Sequence, residues 1–293
     1  MHGRFSLLLC GLILFVSCGC AVHQSQQDAP LQTAEVNGVQ LGYRILGNGP
    51  PLLLIMGYAG TMDVWDPTMV GELSRQRTVI LYDNRGMGYS TIDEKPLTTT
   101  MMASDAAELL KAIGIERADV MGWSMGSIIA QEMALAYPDR VGKMILYGTA
   151  VDSAPVKAAL DGMGALSHKE FVARLFPDAW KELHPDIYSR LPSSSIAPSA
   201  EVIGRQYQAL VNWPGTRERL AKLNKETLVI VGQADRITPP EQAMATVSLI
   251  DGAWLARFMG AGHWLMYQAG KDMASVVEGF LRVQGDLLIS SED

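Results

Sequence analysis

Ser124 stands in Gly122-Trp123-Ser124-Met125-Gly126, between a run with buried-strand character from Asp119 and a run with apolar residues at helical spacing that ends at Pro138. A strand, a Gly-x-Ser-x-Gly turn and a helix form a nucleophile elbow: the Ser backbone is strained, the small neighbours let strand and helix approach closely, and the hydroxyl is exposed. The helix that starts there aims free N–H groups and its dipole at the same point, so the Met125 amide can stabilise negative charge developing on a substrate oxygen. A Ser hydroxyl is a poor nucleophile until a neighbouring base, usually His, removes its proton. Of five His, His2 and His23 lie near the amino terminus and His168 and His184 in an irregular middle stretch, which leaves His263 in Gly-Ala-Gly-His-Trp, directly after a predicted strand. Asp235 ends another predicted strand and turn, with Pro239 and Pro240 stiffening the loop beyond it. Its carboxylate would fix the imidazole tautomer and stabilise the charged form. Ser124, Asp235 and His263 thus read as nucleophile, orienting acid and base, in a chain order that suits such an elbow.

Three side chains so far apart in sequence need a scaffold to bring them together. The segment from Ala34 to Gly47 has two strand-like runs joined by Asn37-Gly38, a hairpin signal because both residues tolerate positive φ. Continuous apolar runs at 51–56, 78–83, 119–124, 143–148, 227–232 and 253–259 suit strands buried on both faces of a parallel sheet. Helical patterns alternate with them, among them one with an apolar face of Ala107, Leu110 and Ile113, capped by Ser104 or a nearby Thr. The expected fold is α/β, a mostly parallel central sheet covered by helices on both faces through right-handed crossovers. Residues 151–223 break the rhythm with helical patches separated by Pro- and Ser-rich breaks. They read as a helical cap over the carboxyl edge of the sheet, inserted into a core of 34–150 and 224–283.

Composition restricts what this scaffold could serve. With 293 residues, 48% hydrophobic and 19% charged, the chain can bury a large core. A formal net charge of −7 and the lack of any Lys/Arg run argue against nucleic acid as a partner. Residues 1–20 combine a basic start, an apolar run too short to span a bilayer comfortably and a small-residue end, the pattern of a secretory signal. Residues 21–33 read as a polar tether and 284–293 as a polar tail. All three cysteines, Cys10, Cys18 and Cys20, lie in the first segment, so the mature domain can neither form disulfides nor bind a metal through thiolates. Both Phe-Val-Ser-Cys and Ser-Cys-Gly-Cys are similar to a bacterial lipobox. That similarity implies an exported protein attached to a membrane through a lipid on Cys18 or Cys20. An ordinary cleaved signal and an uncleaved anchor are the alternatives.

From about Ala34 to Val283 the chain resembles the α/β-hydrolase fold superfamily, through Leu-Leu-Leu-Ile-Met-Gly-Tyr-Ala-Gly, Tyr-Asp-Asn-Arg-Gly-Met-Gly-Tyr-Ser, Gly-Trp-Ser-Met-Gly, Gly-Gln-Ala-Asp-Arg-Ile-Thr-Pro-Pro and Gly-Ala-Gly-His-Trp. The resemblance implies that Asp83, Arg85, Gly86 and Gly88 build the wall beneath the nucleophile. It also implies a second oxyanion-hole amide from Tyr58, although Met56-Gly57 stands where many members carry His-Gly, so the His that braces this loop is missing. Ser at the elbow, where haloalkane dehalogenases and epoxide hydrolases carry Asp, argues against those activities. What remains implied is acyl transfer without a cofactor or metal on a small ester-like substrate, by a carboxylic ester or lactone hydrolase. The same triad could serve a C–C hydrolase, an aminopeptidase of the proline-iminopeptidase kind with Glu170, Asp178, Glu182 or Asp186 facing a free amino terminus, or a perhydrolase. A ligand receptor that kept the fold and lost turnover is the alternative from another class. Met56, Trp123 and Trp264 are pocket-lining candidates; Met62 and Met266 read more readily as core. The oligomeric state stays open.

Overall fold

The computed structural model describes residues 26–162 and 166–283. The signal-like segment with Cys18 and Cys20, the first part of the tether and the 284–293 tail lie outside the described residues. Eight strands form one sheet: β1 Gln32–Val36, β2 Val39–Leu46, β3 Pro51–Ile55, β4 Thr78–Tyr82, β5 Ala118–Trp123, β6 Val141–Tyr147, β7 Thr227–Gly232 and β8 Trp254–Phe258. Their order is β1-β2-β4-β3-β5-β6-β7-β8. β1 and β2 are antiparallel to their neighbours and the remaining pairs are parallel. Asn37 at φ 49° and Gly38 at φ 79° close the β1–β2 hairpin with both central residues in the left-handed region, the turn whose twist matches the strands.

Strands β3 to β7 are largely apolar because each faces two layers of helix, and their charged residues, Asp119 of β5 and Lys143 of β6, sit half-buried near the strand starts. Along β4, Ile80 and Tyr82 join the core on one face while Val79 and Leu81 join the core on the other. The first face is covered by α2 (Thr99–Ala112) and α3 (Met125–Ala136), the second by α1 (Pro67–Ser74) and the carboxyl-terminal helix Gly270–Arg282. α2 begins where Thr98 Oγ1 accepts the Met101 N–H at 3.0 Å. Thr98 is therefore the cap, and Ser104 lies more than a turn inside the helix, with its Oγ accepting from Asn37 Nδ2.

Between β6 and β7 the chain forms α4 (Ser153–Asp161), α5 (His168–Arg174), α6 (Asp178–Leu183), α7 (Ile187–Arg190), α8 (Ala200–Val211) and α9 (Arg217–Leu220). After β7 come α10 (Pro240–Val247), α11 (Leu265–Gln268) and α12, the Gly270–Arg282 helix. The two roots of the helical segment meet where the Thr216 N–H donates to the Val151 carbonyl at 2.9 Å. Buried polar groups of α3 anchor them. Gln131 Nε2 donates to Thr149 Oγ1 and the Ala150 carbonyl, and Glu132 accepts from Trp213 Nε1 and from the Arg219 guanidinium. Truncating Gln131 would leave the Ala150 carbonyl without its donor, and truncating Glu132 would leave the Trp213 indole N–H and the Arg219 guanidinium without this acceptor.

The expected structural role of the Asp-x-Arg-Gly stretch has a concrete form here. Arg85 and Asp105 pair through two bonds of 2.8 and 2.6 Å, and each is 1% exposed. Asn37 donates to the same carboxylate, so one buried ion pair joins the hairpin turn, the post-β4 loop and α2.

Asp66 caps α1, accepting the Met69 N–H at 2.7 Å, with Pro67 in the first helical position. Burial pushes its carboxyl up to about 6, against the opposing pull of the Met69 and Thr68 amides and Arg190. Between about pH 4 and 6 the folded protein therefore holds a proton that the unfolded chain has released, and the contribution of Asp66 to stability falls as pH rises through that window. Asn keeps the cap but cannot titrate. Urea unfolding of Asp66→Asn should show a gain over the wild type that grows from acid to neutral pH, reaching up to about 2 kcal/mol. A difference constant across the window would contradict this account.

Candidate active site

Ser124 follows the last residue of β5 and precedes the first of α3, and the turn between them leaves no room for ordinary backbone. Its φ is 54° and its ψ −118°, a region that L residues rarely adopt. A Cβ on Gly122 would lie 2.1 Å from the Gly126 carbonyl oxygen, and one on Gly126 would lie 1.9 Å from that of Ile55. Only glycine permits this approach of β5, α3 and β3. The Ser124 N–H donates to the Tyr147 carbonyl at 2.8 Å, and its carbonyl accepts from the Ser127 amide and hydroxyl at 2.9 and 2.6 Å. The backbone is thereby clamped on both sides while the hydroxyl faces a cavity.

His263 lies in the loop after β8, 2% exposed, with Nδ1 at 2.8 Å from Asp235 Oδ2. Asp235, in the turn after β7, is 4% exposed. Its Oδ1 accepts the Ile237 and Thr238 amides at 2.8 and 2.9 Å, and its Oδ2 accepts the Thr238 hydroxyl at 2.9 Å. A carboxylate held by three donors and facing Nδ1 makes Nδ1 the protonated nitrogen and leaves the lone pair on Nε2. The His263 carbonyl accepts from Trp123 Nε1 at 3.1 Å and from the Tyr147 hydroxyl at 2.5 Å. β5 and β6 therefore hold the backbone of His263, the candidate base. Gly148, just past β6, has φ 59°, and a Cβ there would sit 3.0 Å from His263 Cε1, so its absence makes space for the ring.

Ser124 and His263 line one cavity, with Asp235 behind the imidazole. Tyr58 and Met125 line it too. Met125 opens α3, where no earlier turn accepts its N–H. Tyr58 lies in the loop after β3, which passes so close to the nucleophile that a Cβ on Gly57 would be 3.2 Å from Ser124 Cβ.

No His braces this loop, and other groups take that place. Asn84 Nδ2 donates to the Met56 carbonyl at 3.0 Å, Asp83 Oδ1 accepts the Met62 N–H at 2.7 Å, and Gln206 Oε1 of α8 accepts the Ala59 N–H at 2.9 Å. Asp83 also accepts the Tyr89 N–H at 2.8 Å, and burial raises its carboxyl to about 6.

The cavity beside Ser124 is small, about 40 Å³, with walls that include Ala150, Val156, Leu160, Leu210 and Ile237. It shares Tyr58, Trp123, Leu160, Phe171 and Leu175 with a larger cavity of about 1240 Å³ under α4, α5, α7 and α8. Trp123 borders both spaces and Trp264 the larger. Met56 does not line the pocket as expected: its side chain is 0% exposed and packs with Leu54, Met62 and Trp65 in the core, because the loop turns its carbonyl to Asn84. Met62 and Met266 are core as well. An aromatic run, Trp123–Trp264–Phe176–Trp180–His184, with centroids 4.1 to 6.0 Å apart, joins the site to α6.

Three residues of this arrangement carry little or no signal in the sequence. Thr238 carried a faint signal, a hydroxyl three residues after an Asp in a Pro-bounded turn. Tyr147 looked like any aromatic of a buried strand, and Gln206 like any polar residue on an amphipathic helix. Among the described residues no group of three or more His, Cys, Asp or Glu could hold a metal ion.

Residues 50–198 match the family model for the alpha/beta hydrolase fold. The chain is 30% identical over 281 residues to a 2-hydroxymuconate semialdehyde hydrolase of Pseudomonas putida, a match covering 87% of this chain and 97% of that one. Among solved structures it is similar to an enol-lactonase from Burkholderia xenovorans, with TM-score 0.75, 26% identity and coverage of 85% of this chain and 99% of that one. It is also similar to an alpha/beta hydrolase fold protein from Chitinophaga pinensis, with TM-score 0.78, 29% identity and coverage of 89% and 100%. A strained Ser between β5 and α3, an Asp-held His after β8 and these similarities agree: the chain belongs to the alpha/beta hydrolase fold family.

Proposed function

We propose that this hydrolase cleaves a neutral carboxylic ester or lactone through an acyl-enzyme on Ser124. The observation that carries the proposal is the shared apolar cavity: the strained Ser124 faces it together with an imidazole whose Nδ1 is held 2.8 Å from Asp235. Ser124 Oγ attacks the carbonyl carbon while His263 Nε2 takes the hydroxyl proton, and Asp235 stabilises the imidazolium. The Met125 and Tyr58 amides donate hydrogen bonds that stabilise the negative charge developing on the carbonyl oxygen. As the tetrahedral adduct collapses, His263 returns the proton to the departing alkoxide. Water then attacks the acyl-Ser124 ester, giving up its proton to His263, and Ser124 leaves with that proton as the free acid departs.

Neutrality of the reacting end follows from the lining. None of the residues around the cavity at Ser124 carries a charge apart from the catalytic imidazole when protonated. A substrate carboxylate beside the scissile bond would be buried without a cation, at a cost of several kcal/mol. The acidic residues named for the aminopeptidase reading are committed elsewhere: Glu170 is spent in the capping box of α5, Asp178 pairs with Lys181 and Arg236, and Asp186 pairs with Arg190. None of these three, nor Glu182, borders either cavity, while Asp161, which does line the larger one, is held by Lys157 and the Tyr207 hydroxyl. The likeness to the semialdehyde hydrolase keeps carbon–carbon hydrolysis by the same triad as the second reading.

A fluorophosphonate should label the protein on Ser124 alone, and Ser124→Ala should lower ester turnover by at least about 10³-fold. Full ester turnover by the alanine variant would end the proposal, and ligand-induced thermal shift without product would favour a receptor. A panel of p-nitrophenyl esters should favour short acyl groups over long ones when the small cavity receives the acyl part. Trp in place of Ala150 should narrow that preference further by filling the same space, with measured kcat/KM as the readout. An unchanged chain-length profile would place the acyl group in the larger cavity instead.

A further inference from the structure

We propose that Gln206 is a positioning residue for the oxyanion hole, so that docking of the helical segment between β6 and β7 sets the rate of acyl transfer. The inference rests on the serine-hydrolase reading above and adds a residue that neither the nucleophile elbow nor the acid–base pair requires.

Three contacts tie the loop after β3 to the helical segment. Gln206 Oε1 accepts the Ala59 N–H at 2.9 Å, the Thr61 hydroxyl donates to Ser194 Oγ at 2.8 Å, and Asp63 Oδ2 accepts the Ser195 N–H at 2.8 Å. The first lies one residue from the Tyr58 amide. It also fixes the one residue of the loop whose backbone is strained, since Ala59 has φ 59°. A non-glycine residue in that region relaxes unless its surroundings over-determine it. Gln206 supplies that constraint from another part of the chain.

The chemistry of Gln206 itself separates positioning from packing. The side chain is 0% exposed, and its Nε2 has no hydrogen-bond partner among the described residues. A buried amide donor without an acceptor costs on the order of 1–3 kcal/mol, so an apolar side chain of equal size would fill this space at lower cost. What the amide offers in return is its carbonyl oxygen, aimed at the Ala59 N–H. Arg205, the preceding residue of α8, donates to the carbonyls of Asp93 and Lys95, so the helix that carries Gln206 is itself held against the core.

Substitution of nearly isosteric residues tests this directly. Gln206→Met keeps the volume and removes the acceptor; Gln206→Glu, neutral as an acid in this fully buried position, keeps the carbonyl acceptor and exchanges the amide donor for a hydroxyl. For short-chain esters, Gln206→Met should lower kcat by about 10- to 100-fold, less than deletion of an oxyanion donor, with KM within about twofold. Fluorophosphonate labelling should slow by the same factor, and Gln206→Glu should restore most of the rate. Hydrogen exchange at the Ala59 amide, read in free enzyme and independent of any substrate, should speed up in Gln206→Met and not in Gln206→Glu. Wild-type kcat in Gln206→Met, or a loss confined to KM and melting temperature that Glu does not rescue, would overturn the inference. Wild-type protein that neither turns over esters nor reacts with fluorophosphonate would instead remove the function on which it rests, while faster Ala59 exchange in Gln206→Met would still identify Gln206 as the brace of the loop.

Discussion

The site depends on one steric constraint: at the end of β5, helix α3 begins closer to the sheet than any side chain allows. The Gly126 carbonyl oxygen would lie 2.1 Å from a Cβ at position 122, and the Ile55 carbonyl oxygen 1.9 Å from one at position 126. The residue between the two glycines cannot relax out of its positive φ without driving the helix off the sheet. That rigidity gives the proposed nucleophile a fixed position before any substrate arrives, which is how a protein settles the entropic part of bringing reactants together in advance. Everything else can be placed relative to that point. The first amide of α3 is there by construction, and the adjoining strand ends, β6 and β7, deliver the space and the acid that the imidazole needs.

Much of this was legible in the sequence because it is local. Asn37-Gly38 announces its hairpin, six apolar runs announce strands to within two residues at either end, and the glycines around Ser124 announce the corner. Five of those strands are largely buried, whereas β8, expected to be buried on both faces, is the sheet's edge and leaves Trp254 exposed. The proposed acid and base could be named for a related reason: each follows a strand end, and the other four histidines fall near the amino terminus or in the irregular stretch between β6 and β7. Legibility stops where a residue acts across the fold. Tyr147 fixes the His263 carbonyl from 116 positions away, and Gln206 reaches Ala59 across 147. Neither carries a local pattern that distinguishes it from core or helix surface. Met56 went wrong for the same reason, since its proximity in sequence to the site said nothing about which way the loop turns its side chain. Of the caps the sequence offers for α2, Ser104 or a nearby Thr, it is Thr98, six residues before Ser104, that serves.

Electrostatically the site is arranged in layers. Closest to the reacting atoms the surroundings are apolar, so each hydrogen bond to developing charge acts in a medium of low polarity. One layer out, polar groups are present but committed: Asp235 to three donors, Asp83 to two backbone amides, Arg85 to Asp105. Committed groups do not reorganise when charge appears, and preorganisation of this kind is where much of an enzyme's rate enhancement originates.

The stitching of the loop after β3 to Ser194, Ser195 and Gln206 has a consequence for how such a protein can diversify. Helices inserted between two strands are the natural place for a lineage to explore new selectivity, because they can be replaced without disturbing the sheet. Here that freedom is curtailed. A transplanted insert that offered a better-shaped cavity but no acceptor opposite Ala59 would arrive with its chemistry already blunted, so changes in what the protein recognises and in how fast it reacts are inherited together.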